Sequence, residues 1–252
     1  MSIPDPGPTH ELSVHEQFHD RGLRIDCRDS YLDTAVVSND IAKLLGAMWA
    51  DGQGPRPGLI FPLTRPPQIP GTQDTRRVSE QESRVLLTEW LEDHGFHYSI
   101  ETPTNDVYQQ SGLRGLSART DVTVYGSSDP DPRNRILNIE LKAGRPPWES
   151  FRKDFEKLLR EGVHGLWFHT LKTANERIWR DLENKIHTAL DERQLDPVSG
   201  ERDRKDLTEA IENADRSIHF VFCVLETGSI ERSFTIDFSH DWRDQLARGF
   251  RE

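Results

Sequence analysis

Hydrophobic positions along the chain alternate between helical and strand spacing, and the changes of period mark out the predicted elements. Ile41, Leu44, Leu45 and Met48 recur at helical spacing and predict a helix over Ser38 to Trp49. Pro55, Pro57, Pro62, Pro66, Pro67 and Pro70 follow between Gly52 and Gly71 and predict an extended connection. From Ser79 the sequence Ser-Glu-Gln-Glu reads as a capping box. It opens a helix carrying Val85, Leu86, Trp90 and Leu91 that stops at Gly95. Phe96, Tyr98 and Ile100 alternate with polar residues as a half-buried strand does, and Asn105 to Gly115 reads as a loop.

Arg119 to Tyr125 predicts a second strand, with Val122 and Val124 on one face and Arg119, Asp121 and Thr123 on the other. The turn residues from Gly126 to Pro132 join it as a hairpin to a third strand, Ile136 to Lys142. Trp148, Phe151, Phe155, Leu158 and Leu159 form the stripe of a helix ending near Gly162. The short apolar run Gly165 to His169 follows this helix, so parallel addition to the sheet is expected. A helix from about Thr173 to Leu190, a polar loop through Asp206, a short helix, and strands at Ile218 to Leu225 and Ser233 to Phe238 complete the pattern. This order predicts the α/β class, with a mixed central β-sheet flanked by helices. The proline-rich stretch suggests a division into an N-terminal region, 1–71, of unreadable role and an α/β domain, 72–252.

Composition narrows the function classes. Cys27 and Cys223 are the only cysteines and lie in no metal-binding or redox spacing, so disulfides are not expected and a reducing, cytoplasmic setting fits. No stretch approaches the roughly 20 apolar residues of a membrane span, and a soluble protein is expected. The formal charge of -11 opposes nucleic-acid binding on average. Its distribution does not, because the window Arg133 to Arg160 holds eight basic residues against four acidic ones.

The chemistry lies in the second and third strands. Asn138, Glu140 and Lys142 share one face of the third strand, and hairpin pairing brings Asp121 beside Glu140 on that face. Two adjacent carboxylates repel unless a cation neutralises them, and hard oxygen donors favour Mg²⁺ or Mn²⁺. A neighbouring lysine is suited to hold or deprotonate an attacking water, or to stabilise charge growing on a phosphate.

Asp121, followed by Glu140-Leu141-Lys142 at the end of an apolar strand, resembles the core of the PD-(D/E)XK nuclease superfamily. The resemblance spans roughly residues 79–171: a glutamate-bearing helix, a strand with Arg119-Thr120-Asp121, the hairpin, an amphipathic helix and a further strand. It implies a restriction-endonuclease-like core and a Mg²⁺-dependent endo- or exonuclease acting on DNA, with RNA as the second choice of substrate. By resemblance Asp121 and Glu140 are metal ligands, the Leu141 carbonyl completes the set, and Lys142 orients the attacking water. Glu82 matches the helix glutamate that many members add, with Glu89 as its substitute, although the capping box gives Glu82 a structural role as well. Arg152, Lys153 and Lys157 lie on the following helix, where members commonly contact phosphate or support the site. Arg145 belongs to the same basic window, and Arg119 is placed to touch phosphate or to pair with a carboxylate. Thr120 stands where the family name has proline. The resemblance suits a restriction, defence or repair setting, with the acidic charge pointing to a homodimer or a partner subunit that supplies grip.

His15 and His19 have zinc-ligand spacing without a third ligand, Glu101 closes the first strand near the same face, and no phosphate-cradling loop or nucleophile elbow occurs. The alternative reading is a catalytically inactive nuclease-fold module that binds nucleic acid or a protein partner. It predicts Asp121, Glu140 and Lys142 in a closed ion-pair network with no cleft above it.

Overall fold

A computed structural model describes residues 22–27, 30–51, 59–62, 76–105, 118–191 and 216–251. Strands β1 (Arg24–Cys27) and β2 (Ser30–Asp33) pair antiparallel and lead directly into helix α1 (Thr34–Asp51). Helix α2 (Glu80–Asp93) precedes three antiparallel strands, β3 (His97–Pro103), β4 (Arg119–Tyr125) and β5 (Arg135–Ala143). Helix α3 (Trp148–Arg160) carries the chain to β6 (His164–Leu171), and α4 (Glu176–Leu190) precedes β7 (Ser217–Val224). Strand β8 (Ser229–Asp237) and helix α5 (Trp242–Gly249) end the described chain. The main sheet runs in sequence order from β3 to β8, with β5–β6 and β6–β7 parallel and the other pairs antiparallel.

Alternation along each strand sorts side chains into two cores. Val122, Val124, Leu137, Ile139, Leu141, Leu166, Phe168, Val221 and Cys223 face the layer of α1 and α2. Trp167, Phe220, Phe222, Phe234 and Ile236 face α3, α4 and α5. Both faces are covered, which is the setting a parallel centre requires. The hairpin and the parallel step into β6 agree with the sequence reading. The polar loop through Asp206, the short helix after it and most of the loop from Asn105 lie outside the described residues.

The sequence pattern missed β1, β2 and α5, and it started α1 four residues late. Asp33 explains the last difference: its Oδ1 accepts from the N–H groups of Ala35 at 2.9 Å and Val36 at 3.3 Å, capping the helix before its apolar stripe begins. The N-terminal elements pack on the same core as α2, with Leu32, Ile41, Leu45 and Met48 buried beside Leu86 and Leu91. Helix α1 also runs hard against the β7–β8 turn, where a Cβ on Gly46 would stand 2.5 Å from Gly228 Cα.

A neutral hydrogen-bond relay fastens this layer. Thr34 Oγ1 accepts from the Leu23 N–H at 2.7 Å and is hydrogen-bonded to His219 Nδ1 at 2.7 Å. The other ring nitrogen of His219, Nε2, is hydrogen-bonded to Ser233 Oγ, also at 2.7 Å. Burial drives the His219 imidazole down to about 3, so it stays uncharged near neutral pH. No helix among the described residues is long and apolar enough to cross a membrane.

Candidate active site

The site forms where β4 and β5 run out beneath the first turn of α2 and the middle of α3. The β4–β5 register reaches Val122 opposite Ile139, so the next pair sets Asp121 beside Glu140 on the α3 face. Here Asp121 replaces a ladder bond, its Oδ2 accepting from the Leu141 N–H at 2.8 Å. The ladder between β3 and β4 is interrupted at the same level. Its register steps from Ile100 opposite Val122 to Thr102 opposite Thr120, leaving Glu101 opposite Asp121 with a φ of 54°.

Cations bind every carboxylate of this cluster. Arg84, from α2, bridges two of them, with Nη2 at 2.6 Å from Asp121 Oδ1 and Nη1 at 2.8 Å from Glu101 Oε1. Lys157, from α3, lies 2.8 Å from Glu140 Oε1 and 2.9 Å from Oε2, 2.8 Å from Asp154 Oδ1, and donates to the Arg119 carbonyl at 2.6 Å. Lys142 contacts Asp154 Oδ2 at 2.7 Å and Glu80 Oε1 at 3.4 Å. Among the described residues the network thus sets five carboxylates (Glu80, Glu101, Asp121, Glu140, Asp154) against three cations (Arg84, Lys142, Lys157).

Glu140 is the most deeply buried carboxylate of the cluster. Complete burial drives its carboxyl well above the usual range; Lys157 opposes that shift, while Asp121 and Asp154 add to it. Its Oε1 is buried and, despite the nearby ammonium, makes no hydrogen bond of acceptable geometry. Burial pulls Lys142 down, but Asp154, Glu140 and Glu80 outweigh it and raise its basicity. Asp154 is lowered because Lys142 and Lys157 overcome its burial, and Glu80 is raised by burial, with Asp121 and Asp154 adding to the shift and Lys142 opposing it.

The predicted residues therefore divide. Asp121, Glu140 and Lys142 converge, and Lys157 joins them as a buried member of the network rather than on the outer face of α3. Arg119, Arg145 and Lys153 are exposed around this end of the sheet. Leu141 holds Asp121 through its N–H while its side chain enters the core. Glu82 turns back to the helix cap, accepting from Ser79 Oγ at 2.6 Å, and the acidic residue of α2 that reaches Lys142 is Glu80. Glu89 is half-buried farther along α2.

Arg84, Glu80 and Asp154 were not legible as site residues. A signal existed for Asp154, which interrupts an apolar helix stripe between Phe151 and Leu158 at i+3 and i+4 spacing. Arg84 carries no such mark, because its partners lie on β3 and β4.

No group of three or more His, Cys, Asp or Glu side chains among the described residues is arranged to hold a metal ion. A two-carboxylate site remains compatible with the donors present. Mg²⁺ commonly keeps several waters and takes only one or two protein carboxylates. Asp121 and Glu140 are hard donors, but their oxygens are held by Arg84, the Leu141 N–H and Lys157, so a cation bound there would compete with those contacts. Comparison with protein-family models, curated proteins and solved structures finds no match to this chain.

Proposed function

We propose that the chain is a metal-dependent nuclease of the PD-(D/E)XK type that hydrolyses phosphodiester bonds, with DNA preferred to RNA. The observation that carries this reading is Asp121 beside Glu140-Leu141-Lys142 at one end of the β4–β5 hairpin, within a largely buried ion-pair network. The succession of α2, the antiparallel strands β3, β4 and β5, helix α3 and parallel β6 supports it as a restriction-endonuclease-like core. Asp121 and Glu140 would hold Mg²⁺ or Mn²⁺, with the Leu141 carbonyl as a further donor. Bound there, the ion would supply an activated water and neutralise charge on the phosphate.

The protein groups have separable tasks. Lys142, kept protonated by Asp154, Glu140 and Glu80, is suited to donate to the attacking water or to a phosphate oxygen and not to remove a proton. Lys157 holds Glu140 and Asp154 in place, as a positioning residue. Arg119, Arg145 and Lys153 offer exposed positive charge for the backbone, and a second copy or a partner subunit would offset the acidic remainder of the surface.

One observation favours a second reading. Both oxygens of Asp121 are already engaged and Lys142 is paired twice, as expected of a catalytically inactive module that binds nucleic acid or protein. The deciding experiment is cleavage of labelled single-stranded DNA, duplex DNA and RNA with Mg²⁺, Mn²⁺ or EDTA, comparing the native chain with Asp121→Ala and Lys142→Ala. Metal-dependent cutting lost in both variants supports the nuclease. Absence of cutting together with absence of divalent-ion binding supports the inactive module.

A further inference from the structure

The bridge made by Arg84 combines three features that ordinary ion pairing does not require. Its guanidinium spans carboxylates on two strands, 2.6 Å from Asp121 and 2.8 Å from Glu101. Its Nε is buried without a hydrogen-bond partner. The Glu101 end of the bridge is held by a backbone of φ 54°, a region that L residues with long side chains rarely occupy, at the point where the β3–β4 ladder is interrupted. A planar fork of this kind can be drawn from one carboxylate while staying anchored to the other.

We propose that Arg84 is the resident counter-ion of Asp121, which a divalent cation must displace, so that the Arg84–Glu101 pair sets how readily the site loads. This rests on the two-carboxylate cation site proposed above. In the resting state Nη2 occupies Asp121 Oδ1, the oxygen not taken by the Leu141 N–H. When the cation takes that oxygen, Arg84 keeps Glu101 through Nη1 and leaves Nη2 directed toward the opened site, where an anionic substrate would meet it. Glu101, exposed on one side, is the anchor that makes the withdrawal reversible.

The test is Mn²⁺ binding to the full chain without substrate, followed by electron paramagnetic resonance of the free ion. Arg84→Gln is expected to bind about tenfold more tightly than the native chain, as loss of one competing charge-assisted pair implies. Arg84→Lys, which keeps the charge but not the fork, should fall between the two. Glu101→Gln should bind roughly threefold more weakly, because the guanidinium then gives its whole charge to Asp121. In the native chain, Mg²⁺ should shift the Arg84 side-chain ¹⁵N signal, and Asp121→Asn should abolish both that shift and most of the binding. Arg177→Gln, an exposed change on α4, controls for bulk charge and should leave affinity unchanged. Equal affinity in the native chain and Arg84→Gln, or an equal gain in Arg177→Gln, overturns the counter-ion role while leaving the cation site intact. Undiminished binding in Asp121→Asn, or no binding in any variant, overturns the cation site and the counter-ion role with it.

Discussion

The Thr34–His219–Ser233 relay and the Asp121–Glu140–Lys142 network are both polar constellations set into the same six-stranded sheet. The relay carries no net charge, and each of its hydroxyl and imidazole groups has a partner at 2.7 Å. The network, among the described residues, joins five carboxylates to three cations and leaves Glu140 Oε1 without a hydrogen bond. A closed neutral relay needs no role beyond joining two layers. A buried cluster of charges costs desolvation energy which apolar packing would avoid, so its presence calls for an explanation in binding or chemistry.

The sharpest way to break this contrast is to remove Lys157. Lys157→Met keeps the stem and deletes the ammonium that Glu140 and Asp154 share, and is expected to cost about 3–5 kcal/mol, as one-sided loss of a buried pair does. Urea unfolding would measure it; a loss under about 1 kcal/mol would mean that Glu140 is carried protonated.

Acid titration tests the relay next. His219 sits near 3 in the fold against an ordinary 6.5, so the unfolded chain binds its proton more readily. Stability from this group is intact above the unfolded value and drains away as pH falls from about 6.5 toward 3, by several kcal/mol in all. His219→Gln should flatten that stretch of the stability–pH curve, and an unchanged slope would assign the acid sensitivity to other groups.

Gly46→Ala probes the packing of α1 on the β7–β8 turn, well along the helix from the relay. Its Cβ would meet backbone at 2.5 Å, so a loss of about 1–3 kcal/mol is expected in thermal unfolding. The smallest effect on stability belongs to Glu140→Gln, which removes the costliest charge and leaves Lys157 paired with Asp154. Its unfolding free energy should stay within about 1 kcal/mol of the native value, while metal-dependent cleavage disappears. Retained cleavage would remove Glu140 from the proposed ligand set.

Fold and site were legible to different depths. Strand alternation and helix stripes gave the β4–β5 hairpin, the crossover into β6 and the face shared by Asp121, Glu140 and Lys142, because each depends on neighbours in sequence. Strands β1 and β2 were missed since four residues apiece show too little periodicity. The cations that hold the site were harder. Lys157 was read as contacting phosphate or supporting the site, because spacing alone does not reveal that α3 turns it toward Glu140. The contact of Arg84 with Asp121 spans 37 residues and exists only after α2 docks.

The crossover topology also bears on how the molecule assembles. Hairpins close early because their contacts are local, whereas parallel pairs wait for an intervening helix to dock. Contact order thus predicts that Asp121 and Glu140 meet as β4 pairs with β5, ahead of the docking of α3 with Lys157 and of α2 with Arg84. In that hairpin Lys142, on the same face as Glu140, is the one cation of the network already at hand. The carboxylate pair is therefore expected to slow the closing of its own hairpin, and Lys142 to soften that delay.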